Sequence, residues 1–178
     1  MSIAYYMEFT KGRGDSKSYV GGQPAQLPST FPWPENENSE WGFLLELEVD
    51  GKRINLPDVS AIQLWETIDD GDDPTPVALL IKKNSPIRVS NVPVHPYAVE
   101  HDINFIAKKD PKEYPEGATK LEQGKLFKSK VGGLSPWPKI EVGKFLFQIH
   151  EMPVEFNFAG RLVSAYLAPS GEILVELN

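Results

Sequence analysis

Apolar residues fall at alternate positions in several short runs of this chain, the period-2 pattern of β-strands with one buried face. The clearest run is 41–49, Trp-Gly-Phe-Leu-Leu-Glu-Leu-Glu-Val, where Leu45, Leu47 and Val49 share one face and Glu46 and Glu48 the other. Asp50-Gly51 then supplies a turn. The same reading predicts strands at 3–9, 59–67, 102–107, 162–167 and 173–177, a returning strand at 53–56, and a short buried strand at 76–81. Between 82 and 130 the pattern weakens, and 118–127 would hold at most a short helix, because Gly124 interrupts it.

One phrase occurs twice. Val20-Gly21-Gly22, Pro32-Trp33-Pro34 and the run Phe43 to Leu47 return as Val131-Gly132-Gly133, Pro136-Trp137-Pro138 and Phe145 to Ile149. In this alignment Phe43 matches Phe145, Leu47 matches Ile149, Ile62 matches Val163, and Trp65 matches Tyr166. Repetition in fixed order predicts an internal duplication. The expected fold is mainly β, α+β at most. Internally duplicated antiparallel sheet motifs would pack as one compact domain over 1–178, with a first copy at about 1–81, a connecting segment at about 82–129 and a second copy at about 130–178. The two copies would either face each other or continue into one sheet.

The 178 residues suffice for a sizeable core. With no cysteine, disulfides, thiolate metal sites and a cysteine nucleophile are excluded, which accords with a reducing compartment. Residues 1–9 lack the pattern of a secretory signal, and no run approaches a membrane span, so a cytoplasmic protein without membrane contact is expected. Net charge is −7, unevenly spread: twelve acids between Glu35 and Asp73 face only Lys52 and Arg53. Such a belt repels phosphates and attracts basic partners, so nucleic-acid binding is not expected. The lysines between Lys108 and Lys130 are interleaved with acids and do not alter that.

The doubled Gly-Gly, Trp-Pro and Phe-Leu-x-Gln-Ile elements resemble those of the YwqG-like family of bacterial proteins, a domain of unknown function, over most of the chain. The strand that carries Gln in that family keeps it at Gln148 and has Glu at Glu46. The resemblance implies a place in polymorphic-toxin loci and an immunity or accessory role, with no catalytic residues to carry over.

Candidate chemistry is sparse. His95 and His101 match no zinc spacing, and Asp69, Asp70, Asp72 and Asp73 depart from a calcium loop because Gly71 comes too early, so no metal and no cofactor is expected. Ser129, Ser135 and Ser164 lack a nucleophile elbow. Arg13-Gly14-Asp15 spells an adhesion tripeptide by chance. The expected function is therefore a non-enzymatic protein-binding module, an immunity-type protein that occludes a basic, nuclease-like toxin domain. Its contact residues would be Glu35, Glu37, Glu40, Trp41, Asp69, Asp70, Asp72 and Asp73. The alternative is a small-ligand or enzymatic β-domain with a pocket between the copies, lined by Trp33, Trp41, Trp137 and Tyr166.

Overall fold

Short apolar runs punctuated by glycine and proline become strands here with little adjustment at their ends. The computed structural model describes residues 2–27, 40–68, 76–86, 91–110, 128–136, 143–150, 158 and 161–178. Within them lie β1 (Ile3–Lys11), β2 (Tyr19–Val20), β3 (Trp41–Glu48), β4 (Val59–Thr67), β5 (Pro76–Lys82), β6 (His101–Lys109), β7 (Lys130–Gly132), β8 (Lys144–His150), β9 (Leu162–Leu167) and β10 (Ile173–Leu177). There is no helix among the described residues, and the short helix expected at 118–127 falls outside them.

Of the two packings open to the sequence, the chain takes the continuous one. All these strands join a single antiparallel sheet in the order β10-β9-β8-β7-β1-β6-β2-β3-β4-β5. The sheet curls until its outermost strands, β5 and β10, run close together without joining the hydrogen-bond ladder, which makes a nearly closed barrel. Its interior is one apolar cluster. Leu45, Leu47, Ile62 and Leu64 come from one side, Phe147, Ile149, Val163 and Ala165 from the other, and Ile103 and Val131 from the centre.

From the central pair β1–β6 outward, the two sides of the sheet correspond in register. Tyr19 and Val20 of β2 oppose Glu46 and Leu45, while Lys130 and Val131 of β7 oppose Gln148 and Phe147. Phe43 opposes Trp65, with a shift of register before Leu45; Phe145 opposes Tyr166, with a shift before Phe147. The Ser18 hydroxyl accepts the Glu48 amide at 2.9 Å, and the Ser129 hydroxyl accepts the His150 amide at 2.9 Å. Correspondence of register is a property of the sheet, and descent of one half from the other is not established by it.

One glycine pair directly follows β2, and the other begins at the last residue of β7. Gly21, Gly22, Gly132 and Gly133 all have φ between 66° and 78°, the left-handed region where a side chain is strained. At Gly133 a β-carbon would also press on the Asp110 carboxylate and Ala4.

Two expectations are corrected and one is placed in the sheet. Residues 53–56 do not form a strand: the Asp50 carboxylate accepts the Lys52 and Arg53 amides at 3.0 and 2.8 Å, which holds a turn open until β4 begins. Within the segment 82–129, the strand expected at 102–107 is β6, which sits at the centre of the sheet against β1. Glu46 does not face water. Its side of β3 is covered by residues far away in sequence, and it is 6% exposed.

Candidate functional site

The acidic belt divides into groups with different roles. Glu46 and Glu66 are buried, at 6% and 1% exposure. Glu48 is partly covered and ion-paired to both Lys17 and Arg53, at 3.2 and 3.0 Å, and Asp50 is ion-paired to Arg53 at 2.8 Å. Glu40 and Asp58 remain exposed. The Ile68 amide donates to the Glu40 carbonyl at 2.7 Å, so the chain leaves β4 beside Glu40 and passes directly into Asp69, Asp70, Asp72 and Asp73. Those four aspartates, with Glu35, Glu37, Trp33 and Trp137, lie outside the described residues.

The same end of the sheet carries a short crossing segment. Phe43 donates its amide to the Pro93 carbonyl at 3.2 Å and accepts the His95 amide at 3.3 Å, which draws 93–95 alongside β3 where β2 has ended. Tyr97 stacks obliquely on His95 with ring centres 5.6 Å apart and is 52% exposed; Val99 beside it is 37% exposed.

Trp41 lies beneath this end rather than on its surface. It is 7% exposed, in a cluster with Tyr19, Phe43 and Trp65 that Leu27, Val77, Leu79 and Val92 help to cover. Trp65 meets Phe43 edge to face at 5.3 Å, a favoured aromatic geometry. Tyr166 is buried in the other half at 1% exposure, its hydroxyl 2.8 Å from that of Ser135. Among the described residues, Trp41 and Tyr166 therefore lie on different sides of the sheet.

Beneath the segment 23–27 lies a polar network on the outer face of β3 and β4. The Gln63 amide donates to Glu46 Oε2 and to the Gln26 carbonyl, both at 2.7 Å, and the Trp65 indole donates to Gln63 Oε1 at 3.2 Å. Tyr19 donates its hydroxyl to the Gln23 carbonyl at 3.2 Å and accepts the Ala25 amide at 2.9 Å. Burial raises the Glu46 carboxyl above the usual carboxylate range, opposed by the hydrogen bonds it accepts. The network borders a cleft of about 420 Å³ whose rim holds Arg13 and Lys17. Arg13 stacks over the Tyr19 ring, 3.1 Å from its centre, and its nearest carboxylate contact is Asp102 at 4.0 Å.

At the corresponding place in the other half, the charges meet directly. Lys130 stands where Tyr19 does and Gln148 where Glu46 does. The Lys130 ammonium donates to both Asp110 oxygens, at 3.0 and 2.9 Å, and to the Leu134 carbonyl at 2.8 Å, while Tyr6 donates to Asp110 at 2.9 Å. Both charged side chains are essentially inaccessible to solvent, at 1% and 0%. Burial alone lowers the Lys130 ammonium, and Asp110 pulls it back up.

Glu66 and His95 form a second buried pair, with Oε2 and Nε2 3.2 Å apart but neither carboxyl oxygen aligned for a hydrogen bond. Burial pushes the Glu66 carboxyl up to about 8 and the His95 imidazole down to about 4, so both are neutral near pH 7. His101 lies apart, its Nδ1 2.9 Å from the Val99 carbonyl. Among the described residues no three His, Asp or Glu side chains converge as metal ligands.

No protein-family description matches the chain, and no curated protein matches it in sequence. Sequence reasoning placed Glu40 and the 69–73 acids in one contact group and passed over Arg13, Tyr19 and Gln63. The available signal was the mismatch between positions that correspond in the two sides of the sheet: Tyr19 against Lys130, and Glu46 against Gln148.

Proposed function

We propose that this chain is a non-enzymatic cytoplasmic binding module, an immunity-type protein in keeping with its resemblance to the YwqG-like family. It docks a basic toxin domain with the end of the sheet where β3 begins and β4 ends. The Ile68-to-Glu40 hydrogen bond carries the reading, because it sets an exposed acid beside the point where the chain enters the aspartates at 69–73. An exposed tyrosine, Tyr97, lies at the same end and adds the aromatic area on which protein contacts depend. A partner with a positive cleft would be steered here over distances on the order of a Debye length, ~8 Å at physiological salt.

The test is binding of a basic nuclease domain encoded beside this gene, measured by calorimetry at low and moderate salt. Reversal of Glu40, Asp69, Asp70, Asp72 and Asp73 to Lys is expected to raise the Kd at least about tenfold at low salt, with a smaller loss as salt rises. Tyr97→Ala is expected to weaken the complex at every salt concentration. If neither the neighbouring gene product nor a panel of basic nuclease domains binds, the proposal fails.

A further inference from the structure

The buried carboxylate of Glu46 is treated differently from the other buried charge in the sheet wall. Across the centre of the sheet, Asp110 and Lys130 neutralise each other at 2.9 Å. Glu46 receives neutral donors, the Gln63 amide among them, and makes no ion pair with Arg13, whose guanidinium is held over the Tyr19 ring. Its other cationic neighbour on the rim, Lys17, is already paired with Glu48 at 3.2 Å. A carboxylate at 6% exposure thus lines a cleft of about 420 Å³ without a cation bonded to it. An uncompensated buried charge is costly, and the complementary ion relieves that cost on entering. The walls suit an apolar stem, since Tyr19, Ala25 and Ala61 present carbon to the cleft, and Ser60 and Gln26 offer polar atoms near its far side.

We propose that this cleft binds a primary alkylammonium group, with Glu46 as the charged acceptor and the Tyr19 side as the wall for the alkyl stem. Arg13 is the competing cation of the apo protein: it lies over the aromatic face and draws on the field of Glu46 without bonding to it. The site stands apart from the docking end, for Glu40 precedes β3 and Glu46 lies near its far end. The same chemistry is offered by a free diamine and by a lysine side chain of a partner.

The probes are 1,5-diaminopentane and a capped Gly-Lys-Gly tripeptide, each titrated into the full chain by calorimetry. Trp65 fluorescence provides a second signal, because the indole is hydrogen-bonded to Gln63 and Gln63 to Glu46. Glu46→Gln copies the residue at the matching position of β8, so the variant is expected to fold, with the thermal melt as the check. It should weaken either probe at least about tenfold, the loss of a charge-assisted hydrogen bond. Asp58→Asn removes one charge from an exposed position and should leave binding unchanged, which separates the site from general attraction to an acidic protein. Arg13→Ala, on a surface turn, should tighten binding severalfold by removing the competitor. Binding of the diamine alone identifies a free amine as the ligand class, and binding of the peptide identifies a lysine side chain. The proposal is overturned if neither probe binds, if Glu46→Gln binds as well as the parent, or if Arg13→Ala binds more weakly.

Discussion

Truncating Asp110 to Ala removes the bidentate partner of an ammonium buried at 1% exposure and takes an acceptor from the Tyr6 hydroxyl. Breaking one side of a buried ion pair costs about 3–5 kcal/mol, so urea unfolding of Asp110→Ala should show its midpoint lowered by that loss divided by the slope, with the slope itself little changed. Asp110→Asn keeps an acceptor and should lose less. The Glu66–His95 pair gives a pH signature. Glu66 is raised to about 8 from 4.5, so the folded state holds a proton the unfolded state releases, and this contribution to stability is present below pH 4.5 and lost as pH rises toward 8. His95 is lowered to about 4 from 6.5, so its contribution is present above pH 6.5 and lost as pH falls toward 4. The two slopes oppose each other between 4.5 and 6.5, and above 6.5 the Glu66 slope stands alone. Denaturant titrations should show stability falling from pH 6.5 to 8, and Glu66→Gln should remove that fall; an unchanged slope in the variant would rule out this assignment. Neither burial was legible locally. Glu46 and Glu66 sit in strands that alternate as if one face were wet, and the residues that cover them, such as Gln26 for one and His95 for the other, come from distant parts of the chain.

At the scale of the element, hydrophobic period was the reliable guide. The runs at 162–167 and 173–177 coincide with β9 and β10, and 59–67 with β4, because each is bounded by turn residues and rich in apolar or β-branched side chains. Two elements escaped it for a reason of length. β2 and β7 are two and three residues long, too short to show a period, yet they bridge β6 to β3 and β1 to β8. The false strand at 53–56 was a failure of turn chemistry, since Asp50 captures two following amides and Arg53 folds back onto both Asp50 and Glu48. The outer face of β3 is covered as well. Trp41, Phe43 and Leu44 to Leu47 are all buried, as expected of a strand covered on both sides, and the alternation of Leu with Glu concealed it.

For the molecule as a whole, the sheet order places each side's first strand against the other side's second: β1 pairs with β7, and β6 with β2. A fragment ending at Asp110 would keep β1 to β6 but leave one edge of β1 open, and with it the apolar face that Val131, Phe147 and Ile149 cover. Open apolar edges pair with other chains, so light scattering of that fragment should report association, and adding a fragment of 128–178 should reduce it. A monomeric, cooperatively unfolding 1–110 fragment would contradict this. During synthesis the consequence is one of waiting. Ile3–Lys11 is made well before its two neighbours, His101–Lys109 and Lys130–Gly132. For that interval the strand has no native partner, and pairing over so long a separation in sequence slows folding.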